Sequence, residues 1–141
     1  MEGYANFNIL TKGLLQMTSN APRILMVEDD EDQAMLFTLM LSTYDFAVVA
    51  TADAESALAH LAETPVDLVL ADWNLPGIKG DALIVTVRAQ YPAIKTILFS
   101  NHIHVETAAV ACGADSWFRK MDDTARLRQL MNDLLAKPST V

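Results

Sequence analysis

Four groups of reactive side chains recur along the chain in one kind of place: Glu28-Asp29-Asp30, Asp72, Ser100 and Lys120 each stand at or just past the end of a short apolar run. Three carboxylates gathered together repel, and their shared field raises a pKa unless a cation joins them. Magnesium meets that need, because it takes one or two carboxylates, several waters and a phosphate oxygen. Ser100 and Lys120 add a hydroxyl and an ammonium, which suit an anion held beside such a metal. An aspartate, a magnesium site, a lysine and a hydroxyl together describe phosphoryl transfer onto a carboxylate. Each group alone has a plainer role: Asp30, Glu31 and Asp32 complement a helix dipole, Ser100 caps a helix, and Lys120 is solvated. Asp72, set between Val-Leu-Ala and Trp, is a poor place for idle charge, and the set as a whole favours chemistry. His102 and His104 have no third residue spaced to complete a metal site with them.

These groups meet only if the chain brings the ends of the runs to one edge. Apolar runs at 24–27, 46–50, 66–71, 94–99 and 114–118 alternate with helix-length segments near 31–43, 53–63, 80–90, 103–112 and 123–136, the pattern of an α/β domain with a parallel sheet. The runs are continuous rather than alternating, as in strands covered on both faces. In such a sheet the site lies beyond the carboxyl ends of the strands. Punctuation agrees: Asp53 caps the second helix, Pro65 follows its end, Pro76-Gly77 turns after the third strand, Gly113 suits a left-handed helix end, and Pro138 stops the last helix.

Length and composition set the bounds. At 141 residues, 52% of them hydrophobic, the chain has room for one domain with a core of its own. We read residues 1–20 as an N-terminal extension, 21–137 as the domain and 138–141 as a tail. A formal charge of −8 argues against nucleic acid, whose backbone calls for the opposite sign. No apolar stretch suits a membrane span, and one cysteine, Cys112, excludes an internal disulfide, so a cytoplasmic location is expected.

The segments ILMVEDDED, DLVLADWNLPGIKGDAL, TILFSN and GADSWFRK, in that order, resemble the receiver domain of bacterial two-component response regulators over about residues 22–136. The resemblance implies a flavodoxin-like five-stranded parallel sheet of order 2-1-3-4-5 with helices on both faces. It implies Asp72 as phosphoacceptor, Glu28 and Asp29 as the acidic pair that holds Mg2+ with Asp72, and the Asn74 backbone carbonyl as a further ligand. Ser100 would bond a phosphoryl oxygen, Lys120 would pair with the phosphate, and Trp117 would be the aromatic that moves with Ser100. The phosphodonor would be a histidine kinase or histidine phosphotransfer protein, and the output a downstream protein target. Where the family has proline after the lysine, this chain has Met121, so a trans loop is expected. Ser100 and Lys120 are 20 apart, short for the family, which marks the fourth helix or the loop before it as atypical. Asn101 and His102 stand beside the expected phosphoryl position, and Asn74 with His102 are expected to set the lifetime of the phosphoaspartate.

The first helix divides its apolar residues between Gln33, Leu36, Phe37 and Met40 on one side and Ala34, Met35, Thr38 and Leu39 on another. One side must pack on the sheet. The stripe of Met35 and Leu39 suits docking of the phosphodonor, with cover by residues 1–20 or a homodimer as alternatives. A second surface is expected to include Val105, Trp117 and Arg126. With only residues 138–141 after Lys137, no output domain is expected in this chain. The alternatives are a pseudo-receiver that binds a partner without phosphorylation and an aspartyl-phosphate phosphohydrolase. The second needs an Asp two residues after the nucleophile, where this chain has Asn74.

Overall fold

A computed structural model describes residues 20–136. Five strands alternate with five helices: β1 (Arg23–Val27), α1 (Glu31–Ser42), β2 (Ala47–Thr51), α2 (Ala54–Glu63), β3 (Leu68–Asp72), α3 (Gly80–Gln90), β4 (Lys95–Ser100), α4 (Val105–Cys112), β5 (Ser116–Arg119) and α5 (Thr124–Ala136). All expected elements are present, with ends displaced by one or two residues. The sheet is parallel throughout in the order β2-β1-β3-β4-β5. The expected roles of residues 1–19 and of Pro138 fall outside the described residues.

Strand parity sorts the core into two layers. Leu25, Val27, Val69, Ala71 and Leu98 face α2, α3 and α4, where they meet Ala57, Leu61, Leu83, Ile84, Val87 and Ala109. Ile24, Met26, Leu68, Leu70, Ile97, Phe99 and Phe118 face α1 and α5, where they meet Phe37, Leu41, Leu127 and Met131. Because side chains alternate with period two, a residue continuing the second series emerges on the α1/α5 side. Glu28, Asp72 and Lys120 continue it; Ser100 continues the first.

Register then brings those residues level. Val27 is opposite Ala71, Asp72 opposite Phe99, and Ser100 opposite Arg119. The ladder runs one step past the strands, with Glu28 N–H donating to Thr51 O at 2.9 Å and Lys120 N–H to Ser100 O at 3.3 Å. The helix starts that face this edge are built locally. Asp30 caps α1 by accepting from Gln33 N–H at 3.1 Å, and Asp53 caps α2 by accepting from Ser56 N–H at 2.7 Å. Gly113 ends α4 at φ 77°, the left-handed conformation that glycine adopts without a Cβ penalty. At eight residues, α4, which lies between Ser100 and Lys120, is the shortest described helix.

The sides of α1 differ from the expected division. Ala34, Phe37, Met40 and Leu41 pack on the sheet. Leu36, expected beside Phe37, is instead 64% exposed and joins Met35 and Leu39, each 62% exposed. One residue turns the helix by about 100°, so periodicity gives relative angles but not which angle faces the sheet. Val105, expected on an outer surface, is fully buried under α4 in the first core layer.

Candidate functional site

A cleft of about 720 Å³ opens at the carboxyl edge of the sheet, and its walls include Glu28, Asp29, Gln33, Asp72, Trp73, Asn74, Lys79, Ser100, His102 and Lys120. Glu28, Asp72 and Ser100 are buried, while Asp29 and Asn74 are exposed at its rim. Lys120 ties the site together. Its Nζ donates to Glu28 Oε2 at 2.9 Å, to Asp72 Oδ2 at 3.1 Å and to Gln33 Oε1 at 2.8 Å. The ammonium also sits 4.9 Å from the centre of the Phe99 ring, so the aromatic floor helps fix it. No described peptide bond is cis, and the trans loop before Met121 delivers the lysine to both carboxylates.

The other Asp72 oxygen is held as well. Asn74 N–H donates to Asp72 Oδ1 at 3.1 Å, and the Asn74 side chain accepts from Lys79 Nζ at 3.3 Å. Ser100 Oγ accepts from His102 N–H at 3.0 Å. The His102 ring packs edge-on to Trp73 with centroids 5.1 Å apart, and its Nδ1 accepts from His104 N–H at 3.0 Å. In the neutral ring the proton is therefore on Nε2.

Electrostatics follow from burial. Glu28 has its pKa raised from 4.5 to about 7, chiefly because burial disfavours the charged form, then because Asp72 lies beside it; Lys120 acts in the opposite direction. One carboxylate oxygen from each of Glu28, Asp29 and Asp72 lies within 4.8 Å of the others, the one such group of three metal-binding side chains among the described residues. Cis ligands of an octahedral magnesium stand about 3 Å apart, so a small inward shift or a bridging water accommodates the ion. A hard dication would also relieve the repulsion that lifts the Glu28 pKa. The donor set therefore fits magnesium.

Two supporting residues were not singled out from sequence. Gln33 is the third residue of α1, placed by the Asp30 cap, and D-x-x-Q after a strand was the available signal. Gly80 opens α3, and a Cβ there would lie 2.0 Å from Asp72 O, so the helix can approach the Asp72 backbone only with glycine. Its N–H donates to Trp73 O at 2.9 Å. The remaining expected residues lie outside the cleft. Trp117 is half-buried on β5, with Arg119 and Arg126 over its ring at 5.4 and 5.7 Å, and Met35 and Leu39 are on the outer side of α1.

Comparison with known proteins places this geometry. Residues 24–132 match the family model described as the response regulator receiver domain. The chain is 37% identical over 93 residues to the response regulator protein FleR of Pseudomonas aeruginosa, a match covering 64% of this chain and 19% of FleR. It is 37% identical over 125 residues to the sensor histidine kinase TmoS of Ectopseudomonas mendocina, covering 89% of this chain and 11% of TmoS. The chain thus spans only about a tenth to a fifth of the length of these relatives. In structure it is similar to the signal receiver domain of an HD domain-containing protein from Pseudomonas fluorescens, at TM-score 0.77 and 25% identity, with 84% of this chain and 90% of that one covered.

Proposed function

This chain belongs to the response regulator receiver domain family, and from that premise we propose that it accepts a phosphoryl group on Asp72 from a histidine kinase or histidine phosphotransfer protein and signals through protein contacts. The observation that carries the reading is Lys120, whose ammonium joins Glu28 and Asp72 in a cleft that Asp29 and Ser100 also line. An ammonium bridging two buried carboxylates is suited to follow charge from the aspartate to a phosphoryl group attached to it.

The chemistry follows from the chain's own groups. Asp72 presents an oxygen to the phosphorus of a phosphohistidine; the new P–O bond forms, the P–N bond breaks, and the imidazole leaves with its electron pair. A single negative charge becomes about two. Lys120 can stay with Asp72 or pass to the phosphoryl oxygens, and Ser100 offers a hydroxyl to one of them. Glu28, Asp29 and Asp72, with the Asn74 carbonyl, would hold Mg2+, which supplies charge neutralisation of the transferring group. Receiver domains are signalling modules rather than enzymes, and slow loss of the phosphoryl group to water would reset the site. Asn74 disfavours a phosphohydrolase, since an amide cannot serve as general acid at the position that class requires.

The stripe of Met35, Leu36 and Leu39 supports docking of the phosphodonor on α1, with cover by residues 1–20 or a homodimer as the competing occupants. The domain is read as 21–137, acting in the cytoplasm. No helix among the described residues is long and apolar enough to cross a membrane.

Incubation with magnesium and acetyl phosphate tests the central claim: acid-stable, base-labile phosphate should appear on the wild type and be absent from Asp72→Asn. Undiminished label on that variant, or none on the wild type, would overturn it. Absence of label with retained partner binding would favour the pseudo-receiver.

A further inference from the structure

Arg119 ends β5 beside the cleft but outside its lining. Its guanidinium reaches the loop between β4 and α4, where Nη1 donates to His102 O and Nη2 to Ile103 O, both at 3.3 Å. His102 O also accepts the Val105 N–H at 3.1 Å, so this fork holds the point where α4 begins. The same segment carries the cleft's hydroxyl, since His102 N–H is bonded to Ser100 Oγ. The same guanidinium lies over the Trp117 ring, 5.4 Å from its centroid. Arg126 is a second cation over that ring at 5.7 Å, but its guanidinium is bonded to Asp122 at 3.1 Å.

The geometry points to Arg119 as a positioning residue that couples the cleft to the surface around Trp117. A ligand that draws on Ser100 displaces the His102 peptide, the fork on the two carbonyls moves with it, and the indole beneath that fork changes surroundings. The chain of contacts is continuous and each link is a named bond or ring contact, which is the physical form such coupling takes. Arginine suits the task because one rigid plane can hold two carbonyls and lie on an aromatic ring; a lysine ammonium is a point charge that does neither together. This inference deepens the proposed function and rests on Asp72 being the site where the phosphoryl group arrives.

The experiment uses beryllofluoride with magnesium as a stand-in for the phosphoryl group. The sequence has two tryptophans, so a Trp73→Phe parent leaves Trp117 as the sole indole reporter. The parent should change its fluorescence on binding. Adding Arg119→Met should remove more than about half of that change while calorimetric beryllofluoride affinity stays within about threefold. Arg119→Lys should behave like Arg119→Met, and Arg126→Met should keep the response. If Arg119→Met lowers the melting temperature but retains the full fluorescence change, Arg119 is merely structural and the inference falls. Equal loss in Arg126→Met would overturn it too, by showing that any cation over the ring suffices. Wild type that binds no beryllofluoride by calorimetry would overturn the Asp72 reading and this inference with it.

Discussion

Replacing Lys120 with Met keeps most of the aliphatic stem over Phe99 and removes the charge that joins Glu28 and Asp72. The ammonium is 2.9 and 3.1 Å from the two carboxylates, whose side chains are 1% and 7% exposed. Leaving a buried partner without its counter-charge costs about 3–5 kcal/mol. For a domain near this size that is a loss of about 10–20 °C in melting temperature. The loss should depend on pH, because Glu28 with a pKa near 7 is largely neutral at pH 6 and then needs the ammonium less. Thermal unfolding by circular dichroism at pH 8.5 and pH 6, in chelator, should show the larger loss at the higher pH. Magnesium should recover part of it at pH 8.5 by supplying the missing positive charge. A loss under about 3 °C at pH 8.5, or equal losses at both pH values, would refute the claim that Lys120 chiefly neutralises a buried carboxylate pair.

The wild type carries its own linkage. The folded-state pKa of Glu28 lies above the ordinary 4.5, so its contribution to stability is full below 4.5 and lost as pH rises through about 7; melting temperature in chelator should fall across that window and magnesium should flatten the fall. Gly80→Ala puts a Cβ 2.0 Å from Asp72 O and should lower stability in urea by about 1–3 kcal/mol or more, with slower labelling of Asp72; unchanged unfolding would mean that α3 retreats freely. A Met35→Glu, Leu36→Glu, Leu39→Glu triple variant should slow phosphotransfer from a histidine phosphotransfer protein and leave labelling by acetyl phosphate unchanged, whereas equal slowing of both would exclude α1 as the docking surface. His102→Ala should alter the half-life of the phosphoaspartate measured after removal of the donor, and an unchanged half-life would exclude His102 from controlling access of water.

Much of the site was legible because strand ends are marked twice, by the stop of an apolar run and by the polar residue that follows. Glu28, Asp72, Ser100 and Lys120, which all line the cleft, are marked in this way, and a parallel sheet follows once strands alternate with helices, whereas its strand order was only what the family resemblance implied. Gln33 was less visible, because a glutamine in the first turn of a helix reads as part of a capping box whether or not its amide oxygen meets a lysine 87 positions away. Gly80 carried no local sign of its closeness to Asp72, since that contact joins two elements across the loop. Leu36 and Val105 were misplaced for a related reason. A helix period fixes the angle between residues but leaves the direction of the sheet open, and the packing of α1 and α4 supplied it.

Read alone, the amino-acid sequence settles which kinds of groups stand at the strand ends and the order in which they come along the chain. Residue type and hydrophobic period are local properties, and short apolar runs with carboxylates at their ends state both. Tertiary structure alone decided that Lys120 reaches Glu28 and Asp72 together, that Gln33 accepts from it, and that Arg119 spans from the His102 and Ile103 carbonyls to Trp117. Those contacts depend on register, on the depth at which helices seat, and on where long side chains end. All three are set by close packing of elements distant in sequence, and no local pattern encodes them.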